Sequence, residues 1–449
     1  MGMNHGDRSR FTQFQFVQFA YHTSHAVYML KFKYLKKWRA VCSLEGMEFA
    51  VFLSKRIWGV LFPERGEAMP SLYIHVPFCV QKCNYCAFYS EPWQEVKAEA
   101  YLAGLNREVE LRQEIVLRQQ EVQEEIETLF IGGGTPTALP EAELGALLSI
   151  IHGQLRFKDG GEKTIEANPG TLTAEKLRIL SRQGINRISL GVQSFNDDLL
   201  RQIGRIHRTE EVREGVQLIR EAGFKNLNLD LMFGLPGQTQ ADWRDTMEEA
   251  LRLRPEHLSV YGLMVEEGTP LALNSESLTN LPDDDSQAEM YHLAREILGK
   301  AGYRHYEVSN YALPGYECQH NLGYWHRKDY LGIGPSAVSC LNNRRYQNVE
   351  DILLYAKMLS QGELPVDSQK NEFLSQHEQM AELLILGLRL KDGVNLSQFQ
   401  KEVGAELFEL YPAVLERYLK AGVLKIEEGS LLLQPEYWFV ANGVLQEFV

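Results

Sequence analysis

Three cysteines, Cys79, Cys83 and Cys86, fall within eight residues in the stretch "FCVQKCNYC". Thiolates are ligands for soft metals and iron–sulfur clusters, and three of them leave one iron of a four-iron cluster without a protein ligand. A structural zinc ion takes four protein ligands. The nearest further candidate, His75, lies on the apolar run before the set. Spacing favours a cluster, with zinc as the competing reading.

The elements that must hold these thiols follow from the pattern after Met69. β-rich apolar runs at 71–76, 127–134, 163–168, 186–192, 226–234 and 257–263 alternate with helical stretches at 94–118, 141–153, 173–183, 208–222 and 240–253. Six strands separated by helices imply right-handed βαβ crossovers and a parallel sheet curling into a partial (β/α)6 barrel, an α/β fold. Functional loops of such a barrel lie at the C-terminal ends of its strands. There stand the cysteine loop, "GGGTP" (132–136), "EANPG" (166–170), "GVQSF" (191–195) and "DLMFGLPGQT" (230–239). Any one of these could be a turn chosen for geometry; five on one face form a cofactor mouth.

Residues beyond 300 change character. Residues 302–312 read as extended and 330–339 as a glycine-rich turn region, so 301–370 is a connecting region. Helices at 375–390, 395–403 and 411–421 precede a hairpin-like pair at 423–436, which gives 371–449 an α+β, winged-helix-like shape. That shape binds DNA elsewhere, but residues 371–449 carry twelve acidic against six basic side chains, a net charge of −6. The whole chain carries −14. Both repel phosphate backbones, so no nucleic-acid partner is expected, and a lid or protein contact fits 371–449 better.

Six cysteines, three of them clustered, form no secreted disulfide framework, and no apolar run reaches the roughly 20 residues of a membrane span. A cytoplasmic location, or an organelle matrix, is implied. Residues 1–68 are treated as an N-terminal extension. Between Arg8 and Leu44 there are seven basic residues and no acid, as in a transit peptide, yet lysine, Phe, Gln and Tyr dominate where such peptides favour Ser and Arg. The preferred expectation is a functional chain starting at Met69, with the core barrel at 69–300.

The motifs resemble a known family. CxxxCxxC after a first strand, followed by GGGTP, is similar to the radical S-adenosylmethionine (SAM) superfamily. "LYIHVPFC", "CNYC", "FIGGGTP", "EANPG", "GVQSF", "GRIHR" and "DLMFGLPGQT" follow the order seen in the group of oxygen-independent coproporphyrinogen III oxidases and HemW-type haem chaperones. This resemblance implies a [4Fe-4S] cluster on Cys79, Cys83 and Cys86, its open iron chelated by SAM. It also implies SAM contacts from Tyr73, Tyr85, Gly133, Gly134, Thr135, Glu166, Gln193, Arg205 and Asp230. The residue chemistry agrees: glycines admit close backbone approach, Glu166 can accept from an ammonium group, Arg205 can pair a carboxylate and Asp230 can take ribose hydroxyls. Each could instead be internal glue between strands.

Two features separate the relatives. The oxidases share a further cysteine two residues after the third, where this chain has Phe88. "HNLGYW" (320–325) matches the HNxxYW signature of the chaperones, which implies a haem site at His320, Asn321, Tyr324 and Trp325. Imidazole is a common axial ligand of haem iron, and the rings can pack on a porphyrin. Cys318 is a second soft donor. The expectation is therefore a haem chaperone that carries radical-SAM machinery, binds haem and passes it to an acceptor protein, for example a respiratory haemoprotein. The alternative is a coproporphyrinogen III oxidase that decarboxylates propionate side chains.

Overall fold

The computed structural model describes residues 71–118 and 125–449; the expectations for residues 1–68, a start at Met69 included, lie outside them. Nine strands form one sheet: β1 (Ser71–Val76), β2 (Ile126–Gly133), β3 (Phe157–Ala167), β4 (Arg187–Gln193), β5 (Leu227–Phe233), β6 (His257–Gly262), β7 (Arg304–Glu307), β8 (Asn310–Ala312) and β9 (Leu331–Ile333). Their order is β9-β1-β2-β3-β4-β5-β6-β8-β7. Neighbours from β9 to β6 are parallel, and β8 and β7 add an antiparallel edge. The two edge strands do not pair with one another, so the barrel is partial.

Helices α1 (Glu95–Arg118), α2 (Glu141–Gln154), α3 (Ala174–Arg182), α4 (Thr209–Glu221) and α5 (Gln240–Arg252) each return the chain from one parallel strand to the next. Side chains alternate across a strand, and here the alternation sorts chemistry. Leu72, Ile74, Leu129, Ile131, Ile165, Ile188, Leu190, Leu229, Leu231, Leu258 and Val260 join the apolar core under the helices. The intervening positions carry Ser71, Tyr73, His75, Thr128, Glu162, Glu166, Arg187, Ser189, Asn228, Asp230 and His257, which give the barrel a polar interior. Both faces of these strands are buried, the outward one apolar under the helices and the inward one polar in the barrel.

Two departures from expectation concern the sheet. The expected third strand covered only 163–168, but β3 begins at Phe157; its first half is polar and partly exposed, so no apolar signal marks it. The region 330–339, read as a turn, contributes β9, which covers the free edge of β1 through Leu72–Leu331 and Ile74–Ile333 pairing. Its glycines permit this. A Cβ on Gly332 would lie 2.2 Å from the Val338 carbonyl oxygen, and Gly334 has a φ of +102° against the backbone of His75. Within 301–370, β7, β8 and β9 thus join the barrel sheet, while Val338–Leu341, Arg344–Asn348 and Val366–Phe373, the last reaching past 370, form a separate three-stranded sheet.

Beyond the barrel, α6 (Asp284–Lys300) leads to the β7–β8 hairpin, α7 (Gln319–Trp325) precedes β9, and α8 (Ile352–Ser360) packs on α1. At the C-terminus, α9 (Gln376–Gly387), α10 (Leu396–Val403) and α11 (Pro412–Lys420) accompany a three-stranded sheet of Val394–Asn395, Ser430–Leu433 and Leu424–Glu427, the winged-helix-like arrangement expected. The last segment returns to the barrel, where Phe439 packs on Phe233 and Tyr291. No helix among the described residues is long and apolar enough to cross a membrane.

Candidate functional site

The cysteine loop leaves β1 and is closed by a short parallel pairing of Phe78–Cys79 with Glu91–Pro92. Within it the Cys86 amide donates to the Cys83 carbonyl at 3.2 Å, a tight turn that gathers the second and third thiols. The loop is tied down from two sides: Asn84 N donates to Ile203 O at 3.0 Å, and Leu271 N donates to Asn84 O at 2.9 Å. Gly204, at φ +76°, leaves room for Asn84, which a Cβ there would meet at 2.8 Å. The "GRIHR" segment is therefore a seat for the cysteine loop.

All three cysteines face one cavity at the C-terminal ends of the strands, with about 1200 Å³ between protein atoms, part of it open to solvent. Its wall also contains Tyr85, Phe88, Gly133, Gly134, Thr135, Glu166, Gln193, Arg205 and Asp230. Of the residues expected to contact SAM, only Tyr73 stays away from this wall. It is buried inside the barrel, its hydroxyl 3.0 Å from His75 Nδ1. His75 in turn reaches the Tyr89 carbonyl oxygen through Nε2 at 2.9 Å. Both of its nitrogens are occupied, so His75 is not placed to be the fourth ligand of a zinc ion.

A network joins the thiols to the strand ends. The Thr135 hydroxyl donates to Cys79 Sγ at 3.7 Å, Asn168 Nδ2 donates to Thr135 Oγ1 at 2.7 Å, and Arg205 donates to Asn168 Oδ1 at 2.7 Å and to Cys83 Sγ at 3.5 Å. Arg205 also donates to the Gly191 carbonyl. Asn168, within "EANPG", is a site residue not among those expected from the sequence. The available signal was an amide, with donor and acceptor, two residues after Glu166 at a strand end. Gln193 has a φ of +69° where the β4–β5 register shifts, a bulge that aims its side chain at the cavity and Tyr261.

The donor set and the space suit the implied cofactors. Burial pushes the Cys86 thiol up to about 12 and raises Cys79, so both favour the neutral thiol until a metal supplies positive charge. Burial, reinforced by Asp230, holds the Glu166 carboxyl well above the usual carboxylate range, and burial also raises Asp230. Two such acids on one wall suit a cationic ligand. A Cβ on Gly134 would lie 2.4 Å from the Phe78 carbonyl oxygen, and one on Gly132 would lie 2.8 Å from Glu166 Oε2, so this turn is shaped for backbone rather than side chains. Glu166 accepts from the Gly133 amide at 3.2 Å.

The HNxxYW segment is elsewhere. It forms α7 at the opposite end of the barrel, where His320 is buried with Nδ1 2.9 Å from Thr128 Oγ1 and Nε2 3.0 Å from the Tyr324 hydroxyl. Tyr324 and Trp325 are buried, Trp325 in the main core, and Asn321 is half-buried. Cys318 is buried with its thiol 3.3 Å from Glu162. The expected haem ligand is thus a packed residue in this arrangement: a neutral aromatic helix closing a barrel floor satisfies its imidazole internally.

Comparison with known proteins agrees with this geometry. The radical SAM superfamily matches residues 73–250, and the HemN C-terminal domain matches residues 374–440. A Bacillus subtilis (strain 168) protein named heme chaperone HemW is 37% identical over 383 residues, covering 85% of this chain and 99% of that one. Its Escherichia coli (strain K12) namesake is 41% identical over 268 residues, covering 60% and 69%. Among solved structures, the E. coli coproporphyrinogen III oxidase HemN, a radical SAM enzyme, superposes with a TM-score of 0.74 over 85% of this chain and 90% of that one. At 24% identity this shows a common fold. With a relative 37% identical along nearly its whole length, and the superfamily's three-cysteine loop and cavity in place, the chain belongs to the HemW family of the radical SAM superfamily.

Proposed function

We propose that the protein is a haem chaperone: it binds haem and transfers it to an acceptor protein. The observation that carries this reading is its 37% identity to the chaperone of B. subtilis across 99% of that protein. Phe88 supports it, lining the cavity where the oxidases share a further cysteine. A net charge of −14 favours a protein acceptor over nucleic acid, and a cytoplasmic or matrix setting suits the free thiols.

In this reading the core barrel at 69–300 holds the cofactors, 301–370 adds β7, β8 and β9 to its sheet, and 371–449 offers a contact surface for the acceptor. Cys79, Cys83 and Cys86 hold a [4Fe-4S] cluster. Held there, the cluster would supply reducing electrons for SAM chemistry. Glu166 would accept from the ammonium group of SAM, the 132–134 turn would admit its amino-acid moiety, and Arg205, which holds Asn168, would pair a carboxylate. His320 can meet haem only if α7 leaves the barrel floor, since both its ring nitrogens are engaged.

The test is an anaerobic haem titration of reconstituted protein beside an assay with coproporphyrinogen III, SAM and reductant. A saturable Soret band, with conversion no faster than a cluster-free control, is expected. Robust formation of protoporphyrinogen would promote the oxidase reading.

A further inference from the structure

A continuous run of hydrogen bonds crosses the barrel from the cofactor cavity to the HNxxYW helix. Asp230, on the cavity wall, accepts from Asn228 Nδ2 at 2.7 Å and from the Ser189 hydroxyl at 3.1 Å. Asn228 Oδ1 lies 2.6 Å from His257 Nδ1, and His257 Nε2 lies 2.8 Å from the Tyr306 hydroxyl. That hydroxyl accepts from the backbone amide of Cys318, the residue that starts α7, at 3.2 Å. Asn228, His257, Tyr306 and Cys318 are all buried. Burial holds His257 neutral, which suits one nitrogen donating to Asn228 while the other accepts from Tyr306.

The lower end of the run is fixed as firmly. Glu162 accepts from the amides of Gln319 and His320 at 3.0 and 3.1 Å and from the Cys318 thiol, so one carboxylate fastens the first turn of α7 to β3. His320 fastens the same helix to β2 through Thr128, which itself donates to Ser71 of β1 at 2.9 Å. Arg187 lies buried between the two ends, electrostatically coupled to Glu162 and Cys318 below and to Asp230 above. Every member of the run has its neighbours' orientation as its own constraint, and in a buried network the loss of one link frees the next.

We infer that the HNxxYW helix is a positioning element of the cofactor cavity, which sets the orientation of Asp230 through Tyr306, His257 and Asn228. The motif then ties the floor of the barrel to its mouth, and its histidine acts on the cofactor at a distance rather than as an iron ligand in the folded chain. This rests on the cavity taking SAM and not on haem binding. A wild-type protein that bound no haem would refute the proposed function and leave this inference standing.

The experiment uses the full-length reconstituted protein and measures three things for each variant: iron and sulfide per chain, Tm, and the dissociation constant for SAM by calorimetry together with the SAM-induced change in the EPR spectrum of the reduced cluster. Tyr306→Phe removes the one hydroxyl that joins His257 to the start of α7 and leaves the contacts of Asp230 in place. It should weaken SAM binding about tenfold with cluster content kept. His320→Ala and Thr128→Val should do the same, and Thr128→Ser, which keeps the hydroxyl, should restore wild-type affinity. SAM affinity within twofold of wild type in both Tyr306→Phe and His320→Ala would overturn the inference, and more so if His320→Ala lost the Soret band of added haem. A loss of affinity that merely tracked falling Tm or cluster content in Tyr306→Phe would overturn it as well.

Discussion

Arg205 Nη1 stands 3.5 Å from Cys83 Sγ, and the same guanidinium donates to Asn168 Oδ1 at 2.7 Å. One side chain therefore spans the second cysteine and the end of β3, beside the bulge that turns Gln193 into the cavity. Hydrogen bonds to charged groups contribute about 1.5–3 kcal/mol. Arg205→Gln should thus weaken SAM binding by at least about tenfold while largely keeping the cluster, measured by calorimetry beside iron and sulfide analysis.

The three loop cysteines should be distinguishable from the buried ones. Alanine at Cys79, Cys83 or Cys86 should remove most of the visible absorbance of the reconstituted cluster. Cys340→Ala should not, because Cys340 is packed with Tyr324, Tyr330, Val338 and Leu374, away from the cavity. Equal losses in all four variants would mean that the thiols act through folding.

Glu307 should make stability depend on pH. The side chain is fully buried in the β7–β8 hairpin, and burial raises its carboxyl to about 7 against the hydrogen bonds from Ser309 and Asn310 and the charge of Arg389. A carboxyl with a raised folded-state value contributes fully below its unfolded value near 4.5. That contribution is lost as pH rises toward 7, because only the unfolded chain ionises in between. Urea unfolding at pH 5 and pH 8 should show a loss of up to about 3 kcal/mol in the wild type that Glu307→Gln lacks.

Glu108 should be among the most costly single residues to remove. Fully buried on α1, it accepts from Arg112, the Gly334 amide, Asn348 Nδ2 and the Tyr355 hydroxyl, and so binds the helix to β9 and α8. Glu108→Ala leaves the Arg112 cation buried and should destabilise the fold by about 3–5 kcal/mol, read from the midpoint of urea denaturation.

The sequence alone determined the six core strands, their helices and the loops that carry chemistry. The reason is local: a strand buried on both faces must be apolar at close to every outward position, and a turn needing close approach must be glycine. Cys79, Cys83 and Cys86 were legible because a three-thiol spacing means little except a cluster or a zinc site, and Glu166, Arg205 and Asp230 because they stand at strand ends or in the loops that follow. The winged-helix-like end was legible from helical periodicity and a hairpin.

Only the tertiary structure decided what long-range partners decide. β9 carries glycine where β1 and the Val338 backbone approach it, so no local pattern marks it as a strand. Asn168 acquires its role from Arg205 and Thr135, each more than 30 residues away in the chain. His320 shows the limit most plainly. In sequence, "HNLGYW" taken alone reads as an aromatic core segment, and only its match to the chaperones' signature implies a haem site. In the fold the two His320 nitrogens meet Thr128 and Tyr324 under the barrel, because a buried imidazole must satisfy both ring nitrogens and the nearest hydroxyls are supplied by β2 and by its own helix.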